Sequence, residues 1–124
     1  MKGILIKRDA LEFILGVSRE VYPKEFSALL RGTKEAIGEV LIIPGTVFGN
    51  RFASTPLYRA PIDYSIIGSV HSHPGNSFKP SGADIRFFSK TGFVHLILRQ
   101  PYKSMEDVAA YDKQGNRIEL GVGE

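Results

Sequence analysis

Between residues 66 and 98 the chain reads as strand, turn, capped helix and strand, and this segment constrains the fold more than any other. Ile66 to Ser72 is a mostly apolar run of strand length, and Pro74 turns the chain away after it. Ser81 then offers an N-cap for a short helix to Lys90, with Gly92 just past its end. Val94 to Leu98 is a second strong strand. A chain carrying this segment has to bury sheet and helix together.

The remaining pattern extends the same architecture. Ile4 to Ile6 can open as a short strand. Residues 8–21 read as an amphipathic helix with Leu11, Ile14, Val17 and Val21 on one face, stopped by Pro23. Glu25 to Leu30 reads as a strand ending before Gly32, and Val40 to Ile43 as a buried strand closed by Pro44-Gly45. Val108 to Asp112 and Arg117 to Leu120 form a hairpin pattern around Lys113-Gln114-Gly115-Asn116. Residues 46–65 are ambiguous: Val47, Phe48 and Phe52 favour a strand, while Pro56 and Pro61 interrupt any continuation of it. Long connections of this kind are often functional. The sum is an α+β fold, one mixed sheet with two helices, in a single domain over residues 1–124.

Composition narrows the function classes. An apolar content of 43% and a charged content of 23% suit a soluble globular chain able to bury a core without staples. The net charge of +3 is scattered, which argues against nucleic acid as a partner. There is no cysteine, so disulfides, thiolate zinc sites and thiol nucleophiles are excluded. That suits a cytoplasmic location. The apolar run at Ile4-Leu5-Ile6 is too short for a signal peptide, and no stretch approaches a membrane span.

The chemistry concentrates in His71-Ser72-His73-Pro74-Gly75-Asn76-Ser77-Phe78-Lys79-Pro80-Ser81-Gly82-Ala83-Asp84. Two histidines two apart on a strand end point to one side. Asp84 returns a carboxylate from the first turn of the next helix. Two His and one carboxylate are a usual catalytic zinc set, with the fourth position left for water. Such a metal lowers the pKa of the water and polarises a carbonyl.

This pattern resembles the JAMM (MPN+) motif: an upstream Glu, His-x-His-Pro, a short loop and Ser-x-x-Asp. The whole chain is similar to a minimal JAMM core of the short archaeal kind. The resemblance implies one zinc per chain on His71, His73 and Asp84. It implies Glu25, in Pro23-Lys24-Glu25-Phe26, as general base and Ser81 as support for the tetrahedral intermediate. It implies a curved sheet flanked by helices, of the cytidine deaminase-like kind. The implied activity is hydrolysis after the C-terminal Gly-Gly of ubiquitin-like proteins by a monomer or homodimer, with conjugates of small archaeal modifiers as partners. Phe78 stands where some archaeal relatives carry a Cys.

Other readings stand beside it. A RadC-like metalloprotein shares His-x-His-Pro and Pro-Ser-x-x-Asp, although such proteins usually carry a further N-terminal domain. A non-catalytic MPN scaffold loses metal ligands, and this chain keeps them. Ser81-x-x-Asp84 is also a helix-capping signature, and both roles can hold together. The bland reading of Glu25 is a surface ion pair. His95, in Phe93-Val94-His95-Leu96-Ile97, is expected to be a buried, hydrogen-bonded residue or a support behind the ligands rather than a ligand itself. Tyr58 and Tyr64 could line a substrate groove or simply pack, and residues 46–64 could help hold an extended substrate tail.

Overall fold

Strand alternation sets the architecture. β1 (Ile4–Lys7) buries Ile4 and Ile6 and exposes Leu5 and Lys7, so one face of it meets the core. The computed structural model describes residues 3–42 and 65–124. Its other elements are α1 (Arg8–Val21), β2 (Ser27–Gly32), β3 (Ala36–Leu41), β4 (Ile66–Ser72), α2 (Gly82–Thr91), β5 (Val94–Leu98), β6 (Val108–Tyr111), β7 (Arg117–Ile118) and β8 (Leu120–Gly123). A single 3-10 turn, Met105–Asp107, precedes β6.

The described strands form one mixed sheet in the order β7-β6-β5-β4-β2-β3-β1-β8. β2 runs antiparallel to both β3 and β4, whereas β5 runs parallel to β4 through the α2 crossover. β7 and β8 end opposite sides of this order, yet Glu119 alone separates them in sequence. The sheet must therefore curl until its edges meet, and the Ile4 amide donates to the Glu119 carbonyl at 3.1 Å. Native strand twist makes such curling accessible. A cavity of about 1110 Å³ lies along this seam, lined by Ile4, Val108, Ile118 and Leu120 among others, and includes no residue of the histidine segment.

The two helices cover opposite faces. α1 presents Ala10, Leu11, Ile14 and Leu15 to a core that includes Ile6, Phe26, Leu30, Val70, Leu96 and Leu98. Val17 and Val21 pack only partly against it. α2 presents Phe87 and Phe88 to a smaller core with Leu29, Ile97 and Tyr111. Each fully buried Ile, Leu or Phe contributes about 1.5–3 kcal/mol of transfer free energy. β4 and β5, covered on both sides, are buried almost throughout. No described helix is long and apolar enough to cross a membrane.

Several expected boundaries moved. β2 begins at Ser27, leaving Glu25 just ahead of it. β3 starts at Ala36 rather than Val40, and Ile43 lies outside the described residues. Ala36 to Glu39 includes Gly38 and has little intrinsic strand preference; pairing with β1 and β2 holds it extended. The final strand of the expected hairpin divides. Arg117–Ile118 pairs with β6, whereas Leu120–Gly123 joins β1 in parallel at the other edge. Residues 46–64, with Tyr58 and Tyr64, lie outside the described residues.

Candidate metal centre

Sheet alternation collects the polar residues on the α2 side. Leu29 and Ile97 face the α2 core, so the residues two and four positions along their strands share that side. Ser27 lies two residues from Leu29 and is registered with His71 on β4, which in turn is registered with Ile97. His73 comes two residues later, just past the end of β4, and its amide donates to the Leu98 carbonyl at 2.7 Å.

Asp84 enters from above, in the first turn of α2. The helix begins with a full capping box. Ser81 Oγ accepts from the Asp84 amide at 3.0 Å, and the Ser81 amide donates to Asp84 Oδ2 at 2.8 Å. The cap that starts the helix thus also fixes the carboxylate.

The result is a compact triad. His71 Nε2 lies 3.1 Å from His73 Nε2 and 3.4 Å from Asp84 Oδ1, and His73 Nε2 lies 3.6 Å from Asp84 Oδ2. The residues are 5%, 9% and 3% exposed. Tetrahedral zinc with bonds of about 2.0–2.1 Å sets its ligand atoms about 3.3 Å apart, which these separations bracket. His73 Nδ1 is 3.1 Å from the Ser77 carbonyl. A carbonyl only accepts, so Nδ1 carries the hydrogen and Nε2 presents a lone pair into the triad. Burial alone would push the Asp84 carboxyl up. The neighbouring His71 and His73 side chains and the Ser81 amide outweigh it and hold the group well below the usual carboxylate range. The triad is therefore an anionic oxygen with two imidazoles, a donor set that fits a divalent cation such as zinc.

Glu25 arrives by continuation of the strand ladder. The Ser72 amide donates to the Phe26 carbonyl at 2.9 Å, and the Phe26 amide donates to Ser72 Oγ at 2.8 Å. Glu25 is half-buried and lies two residues ahead of Ser27; the same register continued that far would put it opposite His73. Ser81 Oγ accepts as a cap, and a hydroxyl that accepts can also donate.

His95 is not in this cluster. Its Nε2–H donates to the Gly92 carbonyl at 3.0 Å, so its Nδ1 accepts from Ser69 Oγ at 2.8 Å. The ring stacks on Phe88 with centroids 4.2 Å apart. Burial pushes its pKa down to about 4, so it is neutral at physiological pH and braces β4, β5 and the end of α2.

Two contacts to the segment from His73 to Ser81 were not legible in the sequence. The Tyr102 hydroxyl donates to the His73 carbonyl, and burial, Tyr22 and Glu25 raise that phenol to about 12, so it stays a donor. Phe78, in the loop between His73 and Ser81, lies under the Arg99 guanidinium at 4.2 Å, and its carbonyl accepts from the Tyr111 hydroxyl at 3.0 Å. Both partners come from distant strands or loops, and neither shows a local signal.

Comparison with known proteins agrees with this geometry. The family described as prokaryotic homologs of the JAB domain matches residues 7–112. A relative from Haloferax volcanii, described as a probable metalloprotease, is 38% identical over 94% of this chain and 78% of its own. A solved JAB1/MPN domain protein from Archaeoglobus fulgidus is 32% identical with a TM-score of 0.77, covering 98% of this chain and all (100%) of that one. A structure described as a JAMM metalloprotease-like zinc site in the proteasome and signalosome is 30% identical with a TM-score of 0.76, covering 99% and 100%. The chain therefore belongs to the prokaryotic JAB-domain family, a group of JAMM-type metalloproteases.

Proposed function

We propose that this chain is a zinc-dependent isopeptidase or peptidase that cleaves after the C-terminal Gly-Gly of ubiquitin-like modifiers. The observation that carries the reading is the buried His71–His73–Asp84 triad, and half-buried Glu25, two residues ahead of the β2 residue registered with His71, suits the general-base role. His71, His73 and Asp84 would hold the ion, which when bound supplies Lewis acidity that acidifies a water and polarises a scissile carbonyl. Glu25 takes the proton of the attacking water and returns it to the departing lysine ε-amine or α-amine. Ser81 donates its hydroxyl hydrogen to the oxygen that gains charge. Asp84 remains ionised throughout, and His73 keeps its Nδ1–H on Ser77, so neither competes for that proton. A Gly-Gly tail has no side chains, so its backbone can lie extended and pair along a sheet edge.

The test is direct. Incubation with a ubiquitin-like conjugate joined through Gly-Gly, with and without a chelator, should give cleavage after the second glycine that stops on chelation and returns with zinc. Cleavage that persists in chelator, or a tail ending in Ala-Ala cut equally well, would overturn the reading.

A further inference from the structure

Of the three ligands in the triad, His73 is the one whose backbone lies past the last residue of its strand. Its amide, ring and carbonyl are each held. Its amide donates to Leu98, its ring donates to Ser77, and its carbonyl accepts from the Tyr102 hydroxyl. Tyr102 is 1% exposed and sits at φ 57°, in the left-handed region. A bulky residue stays there only where its surroundings hold it, and such positions cluster at functional sites.

The surroundings here are specific. The Tyr102 amide donates to the Arg99 carbonyl at 2.9 Å, closing the turn after β5. The Arg19 guanidinium, from the last turn of α1, donates to the Tyr102 carbonyl. Tyr22 packs edge-on against the ring with centroids 6.2 Å apart. Asp107 locks the next residue by accepting from the Lys103 amide at 2.7 Å and from Arg99 Nε at 3.2 Å. Arg19 and Tyr22 belong to the segment that leads into Glu25, so one side chain ties that segment to the ligand turn.

We infer that Tyr102 is a positioning residue: its hydroxyl fixes the His73–Pro74 turn so that His73 Nε2 faces His71 and Asp84, with Arg19 holding Tyr102 in place. This rests on the metal-site reading above. Removing the hydroxyl leaves the His73 carbonyl without that donor and frees the turn to rotate, carrying the imidazole away from the other two ligands.

The experiment uses the full chain and three readouts: Zn2+ affinity by competition with a chromophoric chelator, the visible absorption of Co2+ added alone, and the melting temperature without metal. Tyr102→Phe keeps the ring and should raise the Zn2+ dissociation constant by about 10–100-fold, as loss of ligand-orienting partners does elsewhere. It should also change the Co2+ spectrum while the metal-free melting temperature moves only slightly. Tyr111→Phe removes a comparable bond, to the Phe78 carbonyl of the same loop, and should leave Zn2+ affinity unchanged. An unchanged affinity and Co2+ spectrum in Tyr102→Phe would overturn the inference, as would an equal rise in Tyr111→Phe. Should Tyr102→Phe not fold, Arg19→Met at an exposed helix position decides: a smaller rise in the same direction supports the inference and an unchanged affinity overturns it. A wild-type chain that takes up no Zn2+ refutes the metal reading itself and the inference with it.

Discussion

Ser81 has one observed role and one proposed role, and substitution can separate them. Its oxygen caps α2 by accepting from the Asp84 amide, and its hydrogen is the proposed donor to the oxyanion. Ser81→Ala removes both. Loss of an N-cap side chain costs about 1 kcal/mol, whereas glycine at the same position costs only a few tenths. Over 124 residues the unfolding entropy is about 0.26 kcal/mol/K, so Ser81→Ala should lower the melting temperature by about 4 °C and Ser81→Gly by about 1 °C. Turnover should fall by about 10²–10³ in both variants, because neither carries the hydroxyl. Zinc should stay bound in both, since the Ser81 main-chain amide still holds Asp84 Oδ2. The assay pairs thermal melts with conjugate cleavage at saturating zinc. Turnover that recovers in Ser81→Gly along with stability would reduce the residue to a cap and refute the second role.

Other outcomes depend on particular contacts. Asp84→Asn keeps the volume but loses the charge, so metal analysis should find zinc largely gone; full retention would remove Asp84 from the ligand set. His95 has its pKa lowered to about 4 from an ordinary value of 6.5, so the folded state prefers the neutral ring. That preference stabilises the fold above about pH 6.5 and is lost as pH falls toward 4, a contribution of about 3 kcal/mol. Histidine NMR should show His95 neutral at pH 5 with hydrogen on Nε2, and titration near 6.5 would contradict its burial. Gly92 sits at φ 132°, and a Cβ there would meet the Ile67 carbonyl oxygen at 2.2 Å. Gly92→Ala should therefore cost at least about 3 kcal/mol in denaturant titrations, and a loss under about 1 kcal/mol would show the backbone to be freer than described.

Where local pattern and tertiary demand agreed, the sequence was legible. The 3.6-residue spacing in residues 8–21, the cap at Ser81 and the stop at Gly92 each act within a turn or two of chain, and α1 and α2 formed where those signals stand. His71, His73 and Asp84 were readable because a strand end and a capped helix bring them together over a short loop. What failed was long-range. β8 carries Gly121 and Gly123 and has no strand signal of its own; it exists because the curled sheet presents the free edge of β1 to it. Tyr102 looked like an ordinary residue after Pro101, and its reach to His73 depends on the turn geometry after β5. Glu25 was placed by resemblance alone, since the register of β2 with β4 that begins two residues after it joins strands far apart in sequence.

The most direct test is Glu25→Gln, which preserves shape and hydrogen bonding but cannot take a proton at neutral pH. This variant should hold one zinc per chain as the parent does, melt within a few degrees of it, and still bind a Gly-Gly tail. Turnover should drop by about 10²–10⁴, the worth of a positioned general base. Near-normal cleavage by a folded, zinc-loaded Glu25→Gln protein would contradict the assignment of Glu25 as the base, and with it the mechanism proposed for this site.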